Sequence, residues 1–144
     1  MSTPEAGLTA AALVAFKQNL DRAAKAFSSL GEDQLNTAVA PGKNRLIYLW
    51  GHLLAVDDAM LPLLRIGDPL YPQYEAIFIK SPDGATPTLP SADELRTVWA
   101  AVHQKLLAAC EAFTPAQWLE RHAAVSEDDF AKEPHRNRFA ILLS

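Results

Sequence analysis

Apolar side chains recur three or four residues apart in four segments of the chain, which predicts four helices with one buried face. In residues 3–30 the repeat runs through Leu13, Phe16 and Phe27 and stops before Gly31. Residues 45–65 are apolar nearly all round, which predicts a helix buried from several directions. We expect Asn44 to cap this helix.

The third helix is predicted over residues 92–113, because "SADE" from Ser91 to Glu94 is a capping box. The fourth begins in the final "RFAILLS" and reaches only about two turns.

The connections between these helices contain the turn-forming residues of the chain. A single helical turn is predicted at residues 32–35, and a short helix at residues 73–79 within a long segment rich in proline and glycine. "TPAQ" predicts another short helix over residues 114–121, and residues 122–137 read as a polar connection. No strand alternation or repeat is present in the sequence. The pattern predicts one all-α domain over residues 1–144, a four-helix bundle with a long crossover between the second and third helices and a truncated fourth helix.

Composition excludes several classes of function. Hydrophobic residues make up 49% and charged residues 21%, as in an ordinary globular domain. The net charge of −4 and the scattered basic residues argue against binding to nucleic acid. The apolar second segment carries a histidine, two aspartates and a proline, which argues against a membrane span. Cys110, the only cysteine, is expected to be a buried hydrophobe in a reduced, cytoplasmic protein, and the N-terminus lacks the pattern of a secretory signal.

His52 lies in the middle of the second helix and is the strongest candidate for chemistry. On a helical wheel it shares a face with Tyr48, Val56 and other apolar or small residues. Asp57 and Asp58 point to the other side, where we expect the solvent edge of the helix. Two interpretations of His52 remain open. It is either a core histidine with a local hydrogen bond, or a metal ligand or acid–base group that faces a cavity in the bundle.

The other histidines give weaker signals. His103 lies at the boundary of the apolar face of the third helix, so we expect it to be half-buried or on the surface. His122 and His135 stand in polar stretches and are expected to be exposed, and His135 is the better candidate for a second metal ligand. The sequence contains no G-x-S-x-G, C-x-x-C or glycine-rich phosphate loop.

Three stretches together resemble the DinB-like (DinB/YfiT) superfamily of four-helix bundle proteins. They are "NRLIYLWGHLLAVDDAMLPLLRIGDPLYPQYEAIF", "SADELRTVWAAVHQKLLAACEAFTPAQWLER" and "NRFAILLS". The resemblance implies a divalent metal, nickel, zinc or iron, held by three histidines, of which His52 matches one. The other two form an H-x-x-x-H pair on the family's fourth helix, and this sequence has no such pair. The chain is therefore either a shortened version of a longer protein, which we favour because "RFAILLS" stops in mid-pattern, or a member without a complete site.

Two functional hypotheses follow from the resemblance. The first is a metal-dependent enzyme, of the thiol S-transferase or hydrolase type, with His52 as one ligand. The alternative is a non-catalytic bundle without metal that binds a small molecule or dimerises, with Tyr48, Val56 and Trp99 lining an apolar pocket. A homodimer is expected under either hypothesis, because a bundle with a short fourth helix exposes an apolar groove.

Overall fold

Eight α-helices follow one another in residues 3–144, the part of the chain that the computed structural model describes. No β-strand occurs within these residues, so the all-α prediction is confirmed. Ser2, which the sequence places beside the first cap, lies outside the described residues. The helices are α1 (Pro4–Ser28), α2 (Glu32–Leu35), α3 (Leu46–Leu63), α4 (Gln73–Phe78), α5 (Ala92–Ala112), α6 (Pro115–Trp118), α7 (Glu127–Lys132) and α8 (Arg138–Leu143).

Side-chain caps set the first residue of several helices. The Ser91 hydroxyl accepts a hydrogen bond from the Glu94 amide at the start of α5, as the capping box predicts. The prediction that Asn44 caps α3 is wrong. Arg45 is the N-cap residue of α3 and makes no side-chain cap; its own amide donates to the Asp83 carboxylate instead. The helix α7, whose cap is Ser126, was not predicted from the sequence.

The long helices form a bundle in which α5 packs against both α3 and α1. The six-residue α8 packs against α1 and α6 and lies between α1 and α3 at one end of the bundle. Residues of α1, α3 and α8 together line a groove. The observed order of helices fits the predicted bundle, with its long crossover and its short final helix.

The buried side chains form two cores, and α3 contributes to both. The first core surrounds Trp50 and Phe78, and the second surrounds Leu61 and Trp118. By length and composition α3 also passes the test for a helix that could cross a membrane. Half of its residues are buried against the rest of the fold, and the core helix of a globular protein passes the same test. We therefore describe α3 as the central helix of the bundle.

Asp58 corrects one prediction about α3. It was expected at a solvent edge, but it is 2% exposed. Its carboxylate accepts hydrogen bonds from the amides of Leu70 and Tyr71, each at 2.8 Å. The crossover therefore packs over the side of α3 that the helical wheel assigned to solvent, and Asp58 fixes it there through two backbone amides.

A second set of polar contacts holds the far end of the crossover. The Arg45 guanidinium forms a bidentate pair with Asp83, at 2.7 Å for the closest contact. The Tyr48 hydroxyl donates to the carbonyl of Ser81, and burial raises the pKa of this phenol, so that it remains a donor. Hydrogen bonds and one ion pair therefore hold both ends of the crossover against α3.

Candidate functional site

Gly51 and His52 together explain why an imidazole is placed within a buried helix. Gly51 lies under the ring of Phe78, and a Cβ at this position would overlap the ring. The absence of a side chain therefore lets α4 approach α3 closely. This approach brings the carbonyl oxygen of Phe78 to 2.7 Å from Nδ1 of His52. The Gly51–His52 step thus positions the crossover, and the crossover orients the imidazole.

The partner of Nδ1 determines the tautomer of His52. A backbone carbonyl only accepts hydrogen bonds, so Nδ1 must carry the proton and donate it to Phe78. In a neutral ring Nε2 then carries the lone pair. The side chain is half-buried, and its ring lies beside that of Tyr48, with 6.5 Å between the centroids. His52 therefore presents a fixed imidazole with one nitrogen ready to accept a proton or to bind a cation.

The open groove between α1, α3 and α8 has a volume of about 530 Å³. Most of its lining side chains are apolar, and three of them are alanines whose small size leaves the space open. Asn19 and Asp57 supply the polar side chains of the inner walls. The full lining is Ala12, Ala15, Phe16, Asn19, Val56, Asp57, Ala59, Met60, Leu63, Ile79, Ile141, Leu142, Leu143 and Ser144.

His52 does not itself line this groove, but two of its neighbours do. Val56, one turn after it on the same face of α3, lines the groove, and so does Ile79, the neighbour of its carbonyl partner. The helix α8 begins beside Trp118, against which Phe139 packs, and its last residues reach the groove.

The three residues predicted to line an apolar pocket lie in different surroundings. Val56 is 41% exposed and lines the groove, whose lining includes neither Tyr48 nor Trp99. Tyr48 is buried with its hydroxyl turned to the crossover, as described above. Trp99 is half-buried on α5, and its ring meets that of His103 edge-on at 4.3 Å. The groove thus shares one residue with the predicted set.

His103 and Asp57 form a pair that the sequence analysis did not predict. The expectation of a half-exposed His103 is wrong, because the residue is 6% exposed. Its Nε2 lies 2.6 Å from a carboxylate oxygen of Asp57, whose side chain is 15% exposed. The expectation that Asp57 lies at the solvent edge is likewise wrong. The sequence offers one signal for this pair, because Asp57 is an acidic residue in a largely apolar helix. Nothing in the sequence identifies its partner, which lies 46 residues away.

The two remaining histidines differ from each other. His122 was expected to be exposed and is 7% exposed instead. Its Nδ1 accepts a hydrogen bond from the Ala124 amide, and burial, with the charges of Arg136 and Arg121, lowers its pKa. It is therefore a neutral structural histidine. His135 is exposed, as predicted.

A model of the DinB superfamily matches residues 15–143, which is most of the chain. The chain belongs to the DinB superfamily. The family assignment made from the "GHL" helix, the capped third helix and the "TPAQ" turn is therefore confirmed. A search of curated proteins finds no match to this DinB-superfamily chain.

The metal site implied by the DinB resemblance can be tested against the residues present. Within residues 3–144 no three His, Cys, Asp or Glu side chains lie together in an arrangement that could hold a metal ion. The orientation of His52 fits a metal ligand, but the second and third ligands are not supplied by this part of the DinB chain. The described residues therefore do not fit a complete three-ligand site, and we derive no chemical step through a metal.

Proposed function

We propose that this DinB-superfamily chain binds a small organic molecule in the groove between α1, α3 and α8. The groove itself is the observation that carries the proposal. Its volume of about 530 Å³ lies within the range of roughly 300–1,000 Å³ that is usual for ligand sites. Its walls are mostly apolar, with a few polar groups that would orient a ligand.

The alanines of the groove provide the test. The neutral fluorescent probe 1-aminoanthracene is titrated into the protein and then displaced with octanol. We expect Ala59→Trp, which fills the groove from α3, to weaken binding of the probe at least tenfold. Ala108→Trp is the matched control, because Ala108 is exposed on α5 and does not line the groove. Ala15→Trp on α1 is a second groove-filling variant, in case Ala59→Trp does not fold.

The possible results of this titration either support the proposal or overturn it. Probe binding that is lost in the groove variants and kept in the control supports the proposal. Failure of the wild-type protein to bind the probe, or equal binding by all the folded variants, would overturn it. Thermal unfolding monitored by circular dichroism identifies the variants that are folded.

The orientation of His52 favours a second candidate function, a divalent-metal-dependent enzyme of the thiol S-transferase or hydrolase type. Histidines that bind metals usually donate their other ring N–H to a carbonyl or carboxylate, as His52 does to Phe78. Nickel, zinc and iron are the candidate metals, and His52 would supply one ligand. The remaining ligands would come from outside residues 3–144, since these residues contain no group of three.

Metal analysis of the purified protein tests this candidate. If it is right, nickel, zinc or iron is present at near-stoichiometric level, and His52→Ala removes it. The exposed His135→Ala is the matched control and should retain the metal. Absence of metal from a protein that includes the remaining ligands, or a His52→Ala variant that keeps the metal, would exclude the candidate. The homodimer and the cytoplasmic location expected from the sequence stay predictions.

A further inference from the structure

Asp57 is the charged side chain in the lining of the groove. The other side chains that line it are apolar, apart from Asn19 and Ser144, and none of them is basic. A carboxylate on an apolar wall is incompletely solvated, so a cation placed against it would gain more than it would gain in open water. The groove therefore favours one sign of charge in its ligand.

The carboxylate of Asp57 is held in place from behind by His103. Since a carboxylate accepts hydrogen bonds, Nε2 of His103 carries the proton in the 2.6 Å contact. Nδ1 of His103 is buried and has no hydrogen-bond partner among the described residues. The tautomer with its proton on Nε2 needs no acceptor at Nδ1, so it fits this position.

The second carboxylate oxygen of Asp57 has no hydrogen-bond partner within residues 3–144. One oxygen thus contacts a buried imidazole, and the other has no protein partner, on a residue that lines the groove. Buried support of this kind fixes the carboxylate before the ligand arrives, which lowers the entropy cost of binding.

We propose that the groove selects amines that carry an apolar chain, with the ammonium group paired to Asp57. The chain would lie along the apolar walls formed by Phe16, Met60 and Leu63, and the Asn19 amide offers a second polar contact from α1. This inference rests on the proposed binding function of the groove and adds the chemical class of the ligand.

Three probes of equal chain length test the inference: octylamine, octanol and octanoate, each used to displace 1-aminoanthracene at pH 8. We expect octylamine to bind about tenfold more tightly than octanol, and octanoate to bind least well. Asp57→Asn keeps the size of the side chain and removes its charge, so the ratio of octylamine to octanol affinity should fall close to one.

Asp21→Asn is the matched control, because it changes the net charge equally at an exposed position on α1 that does not line the groove. It should keep the wild-type ratio. If octanol displaces the probe and octylamine binds no more tightly, the amine preference is wrong while the binding function stands. If no compound or probe binds, the binding function has failed as well. An equal fall of the ratio in both variants would assign the preference to the general negative charge of the protein and overturn the role of Asp57.

Discussion

Gly51 is the residue at which α3 and α4 come into closest contact. We predict that Gly51→Ala destabilises the protein, although alanine is the better helix former by about 1 kcal/mol. The new methyl group would overlap the ring of Phe78, which is fully buried. Overpacking of this kind costs roughly 1–3 kcal/mol or more. Chemical denaturation would measure the change in the free energy of unfolding.

Gly7 is the matched control for this prediction. It lies within α1, and a Cβ added there meets no atom within 4 Å. Gly7→Ala should therefore stabilise the protein by roughly 0.5–1 kcal/mol through helix propensity alone. If both variants gained stability, the close packing of Phe78 on Gly51 would not be the reason for the glycine.

Single residues show where sequence-based reasoning succeeds and where it stops. Burial of Cys110 follows from its place on an apolar face, which a helical wheel reports directly. Burial of Asp58 and His103 does not, because a wheel gives the direction of a side chain and not what packs against it. The crossover packs over Asp58 and supplies its hydrogen-bond donors. His103 is buried with its Nε2 bonded to Asp57. The groove between α1, α3 and α8 also depends on the placement of three helices, which no local pattern encodes.

At the scale of elements, the pairing of Arg45 with Asp83 connects the crossover to the first turn of α3. Hydrogen bonds from Arg45 are the main cause that lowers the pKa of Asp83 below its ordinary value of 3.8. A carboxyl group with a lowered pKa stabilises the fold above its ordinary pKa, and this contribution is lost as the pH falls through the lowered value. The crossover should therefore loosen in acid.

We predict that Asp83→Asn lowers the free energy of unfolding by about 1–2 kcal/mol at pH 7, as expected for a charge-assisted bidentate pair. The difference from the wild-type protein should shrink as the pH falls below 3.8, where Asp83 of the unfolded chain becomes protonated, and should vanish below the lowered pKa of Asp83 in the fold. Urea denaturation of both proteins between pH 7 and pH 2 would measure this.

Glu111→Gln, which breaks the exposed pair with Lys17, is the control and should change stability by less than about 0.5 kcal/mol. An effect of Asp83→Asn that was independent of pH would contradict the ionic role of the pair.

The helices themselves were largely predictable, because caps and apolar spacing are local signals. The Ser91 box predicted the first residue of α5, and the predicted turn at residues 32–35 matches α2. The helix α7 was missed because four of its six residues are charged and only Phe130 is partly buried, so the Ser126 cap is its main signal. Arg45 replaced Asn44 as the N-cap of α3 because Asp83, 38 residues away, binds the Arg45 amide. Contacts at this distance along the chain are the part that a local pattern cannot supply.

At the scale of the whole molecule, Cys110 reports on global unfolding. It is 1% exposed in the second core, and burial raises the pKa of its thiol to about 12. We predict that a thiol reagent such as dithiobis-nitrobenzoate labels the native protein at pH 8 at least about 10³-fold more slowly than the unfolded protein, since the thiolate is scarce and shielded. The absorbance of the released thionitrobenzoate would give the rate of labelling, with protein unfolded in guanidinium as the control. Native labelling at the rate of an exposed thiol would contradict the position of Cys110 in the core.

The two cores also have an optical consequence. Trp50 stacks on Phe27 in the first core with the Arg96 guanidinium over its ring, whereas Trp118 lies between Phe113 and Phe139 in the second. Each half of the bundle thus contains a shielded indole with its own chromophoric neighbours. Because the single helix α3 contributes to both cores, fluorescence emission from either indole should report the same cooperative unfolding transition.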